Sequence, residues 1–250
     1  MSGHSNAYDF SGQVALITGA TGGLGPAVAR AFLDAGAVVV GVGSHVSEQR
    51  EEEFRAQVAA DVSDANGRLT LVAAAAQEET SVAQVVSDVV ARHGRLDILV
   101  NGIGGYYAGD PVAETPFDSW QRMLDLNLRP TFLFSKYAAR TMAARQSGRI
   151  INVSSRAAYS GRKNAAAYAT AKSGVITLTE AQAEELRGVG VTVNAIIPSI
   201  IDTPTNRAAM PNADTSRWPT AEQVARVILF LASDDAALIS GAAIPVYGRA

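Results

Sequence analysis

The chain has 250 residues, a net charge of −3 and no cysteine. The missing cysteines exclude disulfides and thiolate metal sites, and the scattered His4, His45 and His93 do not suggest a zinc site. No cluster of lysines and arginines supports nucleic-acid binding. Residues 1–11 are polar and do not resemble a secretion signal, and no apolar run is long enough to cross a membrane. We therefore expect a cytoplasmic protein that does not associate with membranes, and we expect no bound metal.

Apolar, strand-like segments alternate with helical segments along the whole chain. Strands are predicted at 14–18, 38–40, 69–75, 96–100, 149–153, 191–197 and 243–246, and helices at 26–35, 47–60, 81–93, 117–144, 165–187 and 221–232. Such alternation predicts an α/β fold with a parallel sheet covered on both faces. We expect one domain over residues 1–250, with 1–10 as a flexible tail. Pro245 in the last strand favours an edge position.

A glycine-rich loop, Thr18-Gly-Ala-Thr-Gly-Gly-Leu-Gly25, separates the first predicted strand from the first helix. Missing side chains let a backbone turn tightly and approach a pyrophosphate, while the helix N-terminus supplies N–H donors. Pro26 suits the first helical position, where its fixed φ is already helical. A glycine turn without ligand is the alternative, but the strand–turn–helix context favours phosphate binding.

Tyr168 and Lys172 lie four residues apart in a predicted helix and therefore share one face of it. A nearby positive charge lowers the pKa of an acidic group by roughly 1–3 units, so the ammonium favours the ionised phenol. This would bring the tyrosine towards the range in which it exchanges protons near neutral pH. Taken alone, the pair is also typical of a solvated helix face.

Six motifs stand in a characteristic order along the chain. They are the glycine loop 18–25, the segment 96–105 (Leu-Asp-Ile-Leu-Val-Asn-Gly-Ile-Gly-Gly), Leu126-Asn127, Ser154-Ser155, Tyr168-Ala-Thr-Ala-Lys172 and the segment 194–203. In these motifs the chain resembles the short-chain dehydrogenase/reductase family from about residue 9 to residue 248. The resemblance implies a three-layer, Rossmann-type, doubly wound parallel sheet of seven strands. It also implies an NAD(P)-dependent oxidoreductase that interconverts a secondary alcohol and a ketone by hydride transfer.

The resemblance implies four catalytic residues. Tyr168 would be the general acid in reduction and the base in oxidation, and Ser155 would hydrogen-bond the substrate oxygen. Lys172 would lower the pKa of Tyr168 and hold the nicotinamide ribose, and Asn127 would anchor a water that links Lys172 to solvent. In isolation, Ser155 could instead cap nearby backbone and Asn127 could bind a local carbonyl.

The resemblance also implies a set of cofactor-binding residues: Gly19, Thr21, Gly22, Gly23, Leu24, Gly25, Gly43, Ser44, Asn101, Gly102, Tyr168, Lys172, Pro198 and Thr203. NAD-preferring relatives usually carry an acid at the position of Gly43. Its absence removes a repulsion against a 2′-phosphate, which favours NADP(H) slightly over NAD(H). His45 could help to accommodate that phosphate or could be an exposed loop residue. No arginine stands in the glycine loop or just after the second strand.

Other departures from the family pattern concern the adenosine half of the cofactor. The acid expected after the third strand falls at Ala75, and we interpret Asp61 and Asp64 as helix-end or turn residues. Gly102 and Ile103 stand where the family has a second Asn and an Ala, which suggests altered adenosine recognition. On the nicotinamide side, Ser199 replaces the commoner Gly after Pro198, while Thr203 would meet the carboxamide.

Aromatic and other large side chains near the motifs are pocket candidates, with core or subunit contacts as the alternative: Tyr106, Tyr107, Arg156, Tyr159, Met210 and Trp218. The segment 203–221 resembles the family's substrate-covering loop, and its prolines 204, 211 and 219 predict that no continuous helix forms there.

The partners that the resemblance implies are a small carbonyl or alcohol substrate and further copies of the chain, in a homotetramer or homodimer through the helices at 117–144 and 165–187. Small residues there would permit close helix approach, or would simply pack on the sheet: Ala138, Ala139, Ala165, Ala166 and Ala167. The alternative function is a catalytically silent dinucleotide-binding sensor or scaffold of the same fold.

Overall fold

The computed structural model describes residues 8–59, 62, 65 and 67–249. Within these residues lies one sheet of seven strands, all parallel, in the order β3-β2-β1-β4-β5-β6-β7. The strands are β1 Val14–Thr18, β2 Val38–Gly43, β3 Leu69–Ala73, β4 Ile98–Asn101, β5 Gly148–Val153, β6 Val191–Pro198 and β7 Ala243–Val246. The α/β fold with a parallel sheet is confirmed.

Helices cover both faces of the sheet. They are α1 Gly25–Asp34, α2 Glu48–Ala59, α3 Glu79–His93, α4 Phe117–Asn127, α5 Arg129–Arg145, α6 Ala166–Glu185, α7 Pro204–Ala209 and α8 Ala221–Ala232. One core layer packs α1, α2 and α8 on the sheet, and the other packs α3, α5 and α6. Successive strand residues point to opposite faces, so Ala15 and Ile17 enter the first layer, while Val14 and Leu16 enter the second.

The single helix predicted at 117–144 is wrong in one respect, because the structure has two helices there. Leu128, with φ −114° and ψ −47°, ends α4 and precedes α5. Pro130, in the first turn of α5, has no N–H to donate to a carbonyl one turn earlier. The bonds from Leu128 N to Leu124 O and from Phe132 N to Leu128 O survive on either side, so the break is local.

The strand order reverses beside β1, and this positions the site. From β1 the sheet extends to β2 and β3 on one side and to β4 through β7 on the other. Connections that leave neighbouring strands in opposite directions open a crevice at the carboxyl ends, where ligands of such folds bind. The strand β7 is the outer neighbour of β6 and pairs Pro245 with Ile197, which confirms the edge position predicted for this proline.

The chain near the N-terminus joins the core. Phe10, which falls in the segment expected to be a tail, is 2% exposed and packs against Phe32, with ring centroids 5.3 Å apart. Residues 1–7, Asp61 and Asp64 lie outside the described part of the chain. In that part, no helix combines the length and the apolar character that a membrane crossing requires.

Candidate active site

The glycine loop turns so tightly that a Cβ would have no room at two of its positions. At Gly19, which has φ +69°, a Cβ would lie 2.9 Å from the backbone carbonyl of Gly102. At Gly25 it would lie 2.3 Å from the carbonyl oxygen of Ala20. Leu24 precedes the first turn of α1 without a side-chain cap, and Pro26 lies inside that turn. The helix N-terminus therefore opens onto the crevice, where a phosphate group would meet it.

Gly102, which stands where the family has a second asparagine, contacts this same loop. Thr18 Oγ1 accepts hydrogen bonds from Gly102 N at 3.1 Å and from Ile103 N at 3.4 Å. A Cβ on Gly102 would lie 2.7 Å from the Thr18 carbonyl oxygen. The segment after β4 therefore crosses the start of the glycine loop backbone to backbone, and this crossing has no space for the amide side chain of the family pattern.

Ser155 and Tyr168 both line the crevice, and their hydroxyl groups interact there. Ser155 Oγ also accepts from Ala157 N at 3.2 Å, so the hydroxyl caps the short 3₁₀ turn after β5 as well as meeting the tyrosine. Burial raises the pKa of Tyr168 above its usual value, and the interaction with Ser155 opposes that rise. Lys172 is not among the groups that shift this pKa, so its expected role in lowering the pKa of Tyr168 stays a prediction.

Lys172 is buried beside the phenol, on the same face of α6. Its side chain lines the crevice although the residue is 4% exposed, and Nζ donates to the Val153 carbonyl at 2.9 Å. Burial lowers the pKa of Lys172 to about 8, because the charged form loses water that one carbonyl does not replace. Ser154 Oγ donates to the Lys172 carbonyl at 2.8 Å and ties this turn of α6 to β5.

Asn127 clamps the segment after β4. Its Nδ2 donates to the carbonyl of Gly105 at 3.1 Å, and its Oδ1 accepts from Gly105 N at 3.0 Å. A Cβ on Gly104 would lie 2.7 Å from Asn127 Oδ1 and 3.0 Å from Lys172 Nζ, so both polar groups border the backbone of Gly104. Asn127 is thus a neighbour of Lys172 as well as a ligand of the backbone.

A cleft of about 310 Å³ joins the glycine loop to Ser155, Tyr168 and Lys172. Eleven of the expected residues line it: Gly19, Gly22, Gly23, Leu24, Gly25, Gly102, Ser155, Tyr168, Lys172, Pro198 and Thr203. Five expected residues do not line it: Thr21, Gly43, Ser44, Asn101 and Asn127.

Asn101 points away from the cleft. Its Nδ2 donates to Ser135 Oγ at 2.9 Å and to Asn152 Oδ1 at 2.8 Å, and Asn152 Nδ2 donates in turn to Thr179 Oγ1 at 2.9 Å. These buried groups connect β4 and β5 to α5 and α6. The Asn101 side chain therefore lies on the face of the sheet covered by α5 and α6, and the cofactor-binding role expected of this residue stays a prediction.

The region of Gly43, where the adenosine half of a dinucleotide is expected to bind, adjoins Thr21. A Cβ on Gly43 would lie 3.5 Å from Thr21 Oγ1, an ordinary contact, so a side chain fits there. Ser44 and His45 are exposed, and Arg50 Nη1 donates to the His45 carbonyl at 3.4 Å. No arginine follows β2 directly in the sequence, but Arg50 reaches this region from α2.

The expected acid position, Ala75, is exposed, and its N–H donates to Ser81 Oγ at 3.1 Å. This hydrogen bond holds the backbone after β3 to the first turn of α3. A methyl group in this place offers no acceptor to an adenine.

The nicotinamide side is built from the segment after β6. Thr203 Oγ1 caps α7 by accepting from Asn206 N at 3.2 Å, and a Cβ on Gly23 would lie 2.9 Å from Thr203 Cγ2. The start of α7 therefore sits on the glycine loop. Ser199 Oγ donates to the Tyr247 carbonyl at 2.8 Å. The serine that replaces the glycine of the family pattern therefore ties this segment to the chain after β7.

Sequence reasoning missed Ile201, Thr205 and Asn206, which line the cleft. The usable signal was the N-cap spacing from Thr203 to Asn206 after a proline-containing turn. Of the pocket candidates, Tyr106 lines the cleft and the other five do not. Their positions differ: Tyr107 and Tyr159 are exposed, Trp218 is buried, Met210 follows α7, and Arg156 stacks over the Tyr247 ring at 5.0 Å.

Among residues 8–59, 62, 65 and 67–249, no three side chains of the metal-binding types come together as a candidate metal site. The polar groups at the cleft include hydroxyls, the Asn206 amide, the Lys172 ammonium and backbone N–H groups. They suit an anionic dinucleotide and a substrate oxygen.

Comparison with known proteins agrees with this geometry. A family model described as short chain dehydrogenase matches residues 13–214. A cis-4-hydroxycyclohexanecarboxylate dehydrogenase of Sinomonas cyclohexanicum is 36% identical over 96% of each chain. The 3-oxoacyl-(acyl-carrier-protein) reductase FabG of Escherichia coli (strain K12) is 32% identical over 96% of this chain and 98% of its own.

Two solved structures of bound complexes superpose closely on the chain. ElxO with NADP bound gives a TM-score of 0.86 at 28% identity, covering 94% of this chain and 97% of its own. NAD⁺-bound xylitol dehydrogenase gives 0.85 at 27% identity, covering 96% and 99%. These structures bind different dinucleotides on one fold.

Proposed function

The chain belongs to the short chain dehydrogenase family and is an NAD(P)-dependent oxidoreductase, and from this premise we propose that it interconverts a secondary alcohol and a ketone with Tyr168 as acid and base. The observation that carries the proposal is that Ser155, Tyr168 and the buried Lys172 line one cleft together with the glycine loop. One domain, residues 1–250, would hold both the dinucleotide and the substrate.

The residues present fit a nicotinamide dinucleotide. The glycine loop has no room for side chains at Gly19 and Gly25, and it ends at the N-terminus of α1, which suits a pyrophosphate. Lys172 and Thr203 would hold the nicotinamide half, since both line the same cleft as the glycine loop. When bound, the nicotinamide supplies or accepts the hydride, and the protein contributes orientation and proton transfer.

The proton path begins at the phenol. Tyr168 donates its proton to the substrate oxygen in reduction, while the Ser155 hydroxyl holds that oxygen and stabilises its developing charge. Lys172, one helical turn away, supports the ionised phenol when its own ammonium is charged. Asn127 Oδ1 and Lys172 Nζ border the same backbone at Gly104, which suits a water held between them and solvent.

We favour NADP(H) over NAD(H) as the physiological cofactor. The backbone at Gly43 carries no carboxylate to repel a 2′-phosphate, and Ser44 and His45 are exposed beside it. Arg50 supplies a guanidinium within hydrogen-bond distance of the His45 backbone. Guanidinium groups bind phosphates well because their N–H groups form a planar fork.

We further propose that copies of the chain associate through α4, α5 and α6, in a homodimer or homotetramer. A groove of about 430 Å³ on this face is lined by the aliphatic side chains of Leu124, Leu128 and Leu178 together with Phe132, which is 47% exposed. The small residues singled out earlier contribute less, because Ala138, at the centre of α5, is buried against the sheet.

The decisive experiment is the variant Tyr168→Phe, assayed with NADPH and NADH against a panel of ketones. We expect turnover to fall to background while the dinucleotide still binds, because the ring remains and the transferable proton does not. Wild-type rates in the variant would contradict the mechanism. Binding without turnover by the wild type across the panel would instead favour the silent sensor or scaffold.

A further inference from the structure

Tyr106 combines exposure with direct contact to the reactive phenol. It is 61% exposed, it lines the cleft, and its ring lies 5.1 Å from the Tyr168 ring at an interplanar angle of 83°. Among the described residues that line the cleft, Tyr106 and Tyr168 are the only aromatic ones. An exposed ring at the reacting end of a cleft offers a ready-made apolar wall to a ligand.

The backbone on both sides of Tyr106 is anchored. On one side Gly105 is held by two hydrogen bonds from the Asn127 amide, at 3.0 and 3.1 Å. On the other side Tyr107 stacks under the Arg122 guanidinium at 5.5 Å, and Gly109 N donates to the Asn164 carbonyl at 2.8 Å. The backbone that carries the ring is therefore held in place before any substrate arrives, which lowers the entropy cost of packing against the ring.

We propose that Tyr106 is the specificity-determining wall of the substrate site and selects substrates whose reacting carbon belongs to a ring. This inference rests on the proposed function and deepens it. The substrate oxygen would meet Ser155 and Tyr168, so the carbon skeleton attached to it lies within reach of the Tyr106 ring. A rigid alicyclic skeleton packs on such a wall with less loss of conformational freedom than a flexible chain of the same size.

The side chains that line the cleft from the segment after β6 are aliphatic or polar, and none is aromatic: Ser199, Ile201, Thr203, Thr205 and Asn206. They leave Tyr106 as the large apolar contact for a substrate. If Tyr106 only supported Tyr168, its substitution would slow every substrate equally, and the two roles are separable by experiment.

The test compares Tyr106→Ala with the matched variant Tyr106→Phe, which keeps the ring, on two six-carbon ketones, cyclohexanone and 2-hexanone. Wild type should reduce cyclohexanone with the higher kcat/KM. Tyr106→Ala should raise the KM for cyclohexanone by about tenfold, the scale of one aromatic packing contact, with a much smaller change for 2-hexanone and little change in kcat. Tyr106→Phe should keep the wild-type preference.

Equal losses for both ketones in Tyr106→Ala, a fall confined to kcat, or no change at all would each overturn the inference. So would a wild type that reduces 2-hexanone at least as efficiently as cyclohexanone. A wild type that turns over neither ketone, nor the corresponding alcohols, with either cofactor would overturn this inference, whereas only inactivity across the whole ketone panel would contradict the proposed function. Dinucleotide affinity, measured by fluorescence, checks that both variants are folded.

Discussion

The ammonium of Lys172 donates a hydrogen bond to the carbonyl of Val153, 2.9 Å away, from a site almost closed to water. Burial lowers the pKa of this group to about 8, so the folded protein binds fewer protons than the unfolded chain from about pH 8 up to the ordinary lysine value. Stability due to this residue therefore rises with pH across that window, and at neutral pH the charged group is a cost.

We expect Lys172→Met to be more stable than wild type at pH 7, by up to about 3 kcal/mol, while losing turnover. The gain should shrink as the pH rises towards 10. Urea unfolding of both proteins at pH 7 and pH 9.5 measures the difference. A methionine variant that is less stable at pH 7 would mean that the hydrogen bond to Val153 outweighs the burial of the charge.

The raised pKa of Tyr168 sets the expected pH dependence of the reaction. A phenol above its usual pKa stays protonated at neutral pH, which suits it as the acid of ketone reduction. Alcohol oxidation needs the ionised phenol, so its kcat/KM should increase from neutral to alkaline pH while that of reduction declines. Parallel profiles in the two directions measure this. An oxidation rate that falls between pH 7 and 9 would contradict it.

Restoring the family asparagine at position 102 should harm the protein. A Cβ there would lie 2.7 Å from the Thr18 carbonyl, so Gly102→Asn and Gly102→Ala should each cost about 1–3 kcal/mol of stability and weaken dinucleotide binding. The matched control is Gly161→Ala, since nothing lies within 4 Å of a Cβ at Gly161. Thermal unfolding and a dinucleotide titration provide the readouts. Tighter binding by Gly102→Asn would refute the steric argument.

Position 43 offers a direct test of cofactor preference. A side chain fits at Gly43, 3.5 Å from Thr21 Oγ1, so Gly43→Asp should fold and should repel a 2′-phosphate. We expect kcat/KM with NADPH to fall by at least about tenfold, because like charges brought together cost several kcal/mol. The neutral isostere Gly43→Asn should change far less. Equal effects of the two variants on NADPH would point to shape rather than charge.

Association through the α4–α5–α6 face depends on Phe132. Replacing this half-exposed ring by a carboxylate, Phe132→Glu, should reduce the molar mass measured by light scattering, because a charge would then be buried in an apolar contact. Val112→Glu, at an exposed apolar residue outside the groove, is the control and should leave the mass unchanged. A wild type that is monomeric by light scattering would contradict the proposed interface.

Much of the fold was predictable from local pattern. The run Val14–Thr18 and the glycines after it appear in the structure as predicted, because apolar periodicity and tight-turn chemistry are local properties. The helix break at Leu128 was also within reach, since Pro130 was visible in the sequence and its missing N–H forbids the regular bond pattern.

Other features depend on segments that meet only in the folded chain. The inward turn of Asn101 depends on Ser135 and Asn152, which lie on other elements. The approach of Arg50 to the adenosine end depends on the path of α2. The pKa direction at Tyr168 depends on burial of the phenol, which the helical spacing does not reveal. No spacing rule carries this information.

The crossing of Gly19 and Gly102 has an evolutionary consequence. At each position a new side chain would collide with backbone atoms of the other segment, and backbone cannot step aside as a flexible side chain can. An asparagine at 102 would therefore require a backbone shift in the glycine loop and not only a change of rotamer. The two loops are therefore expected to drift as a pair, and a designer who grafts one of them onto a relative must carry over the other.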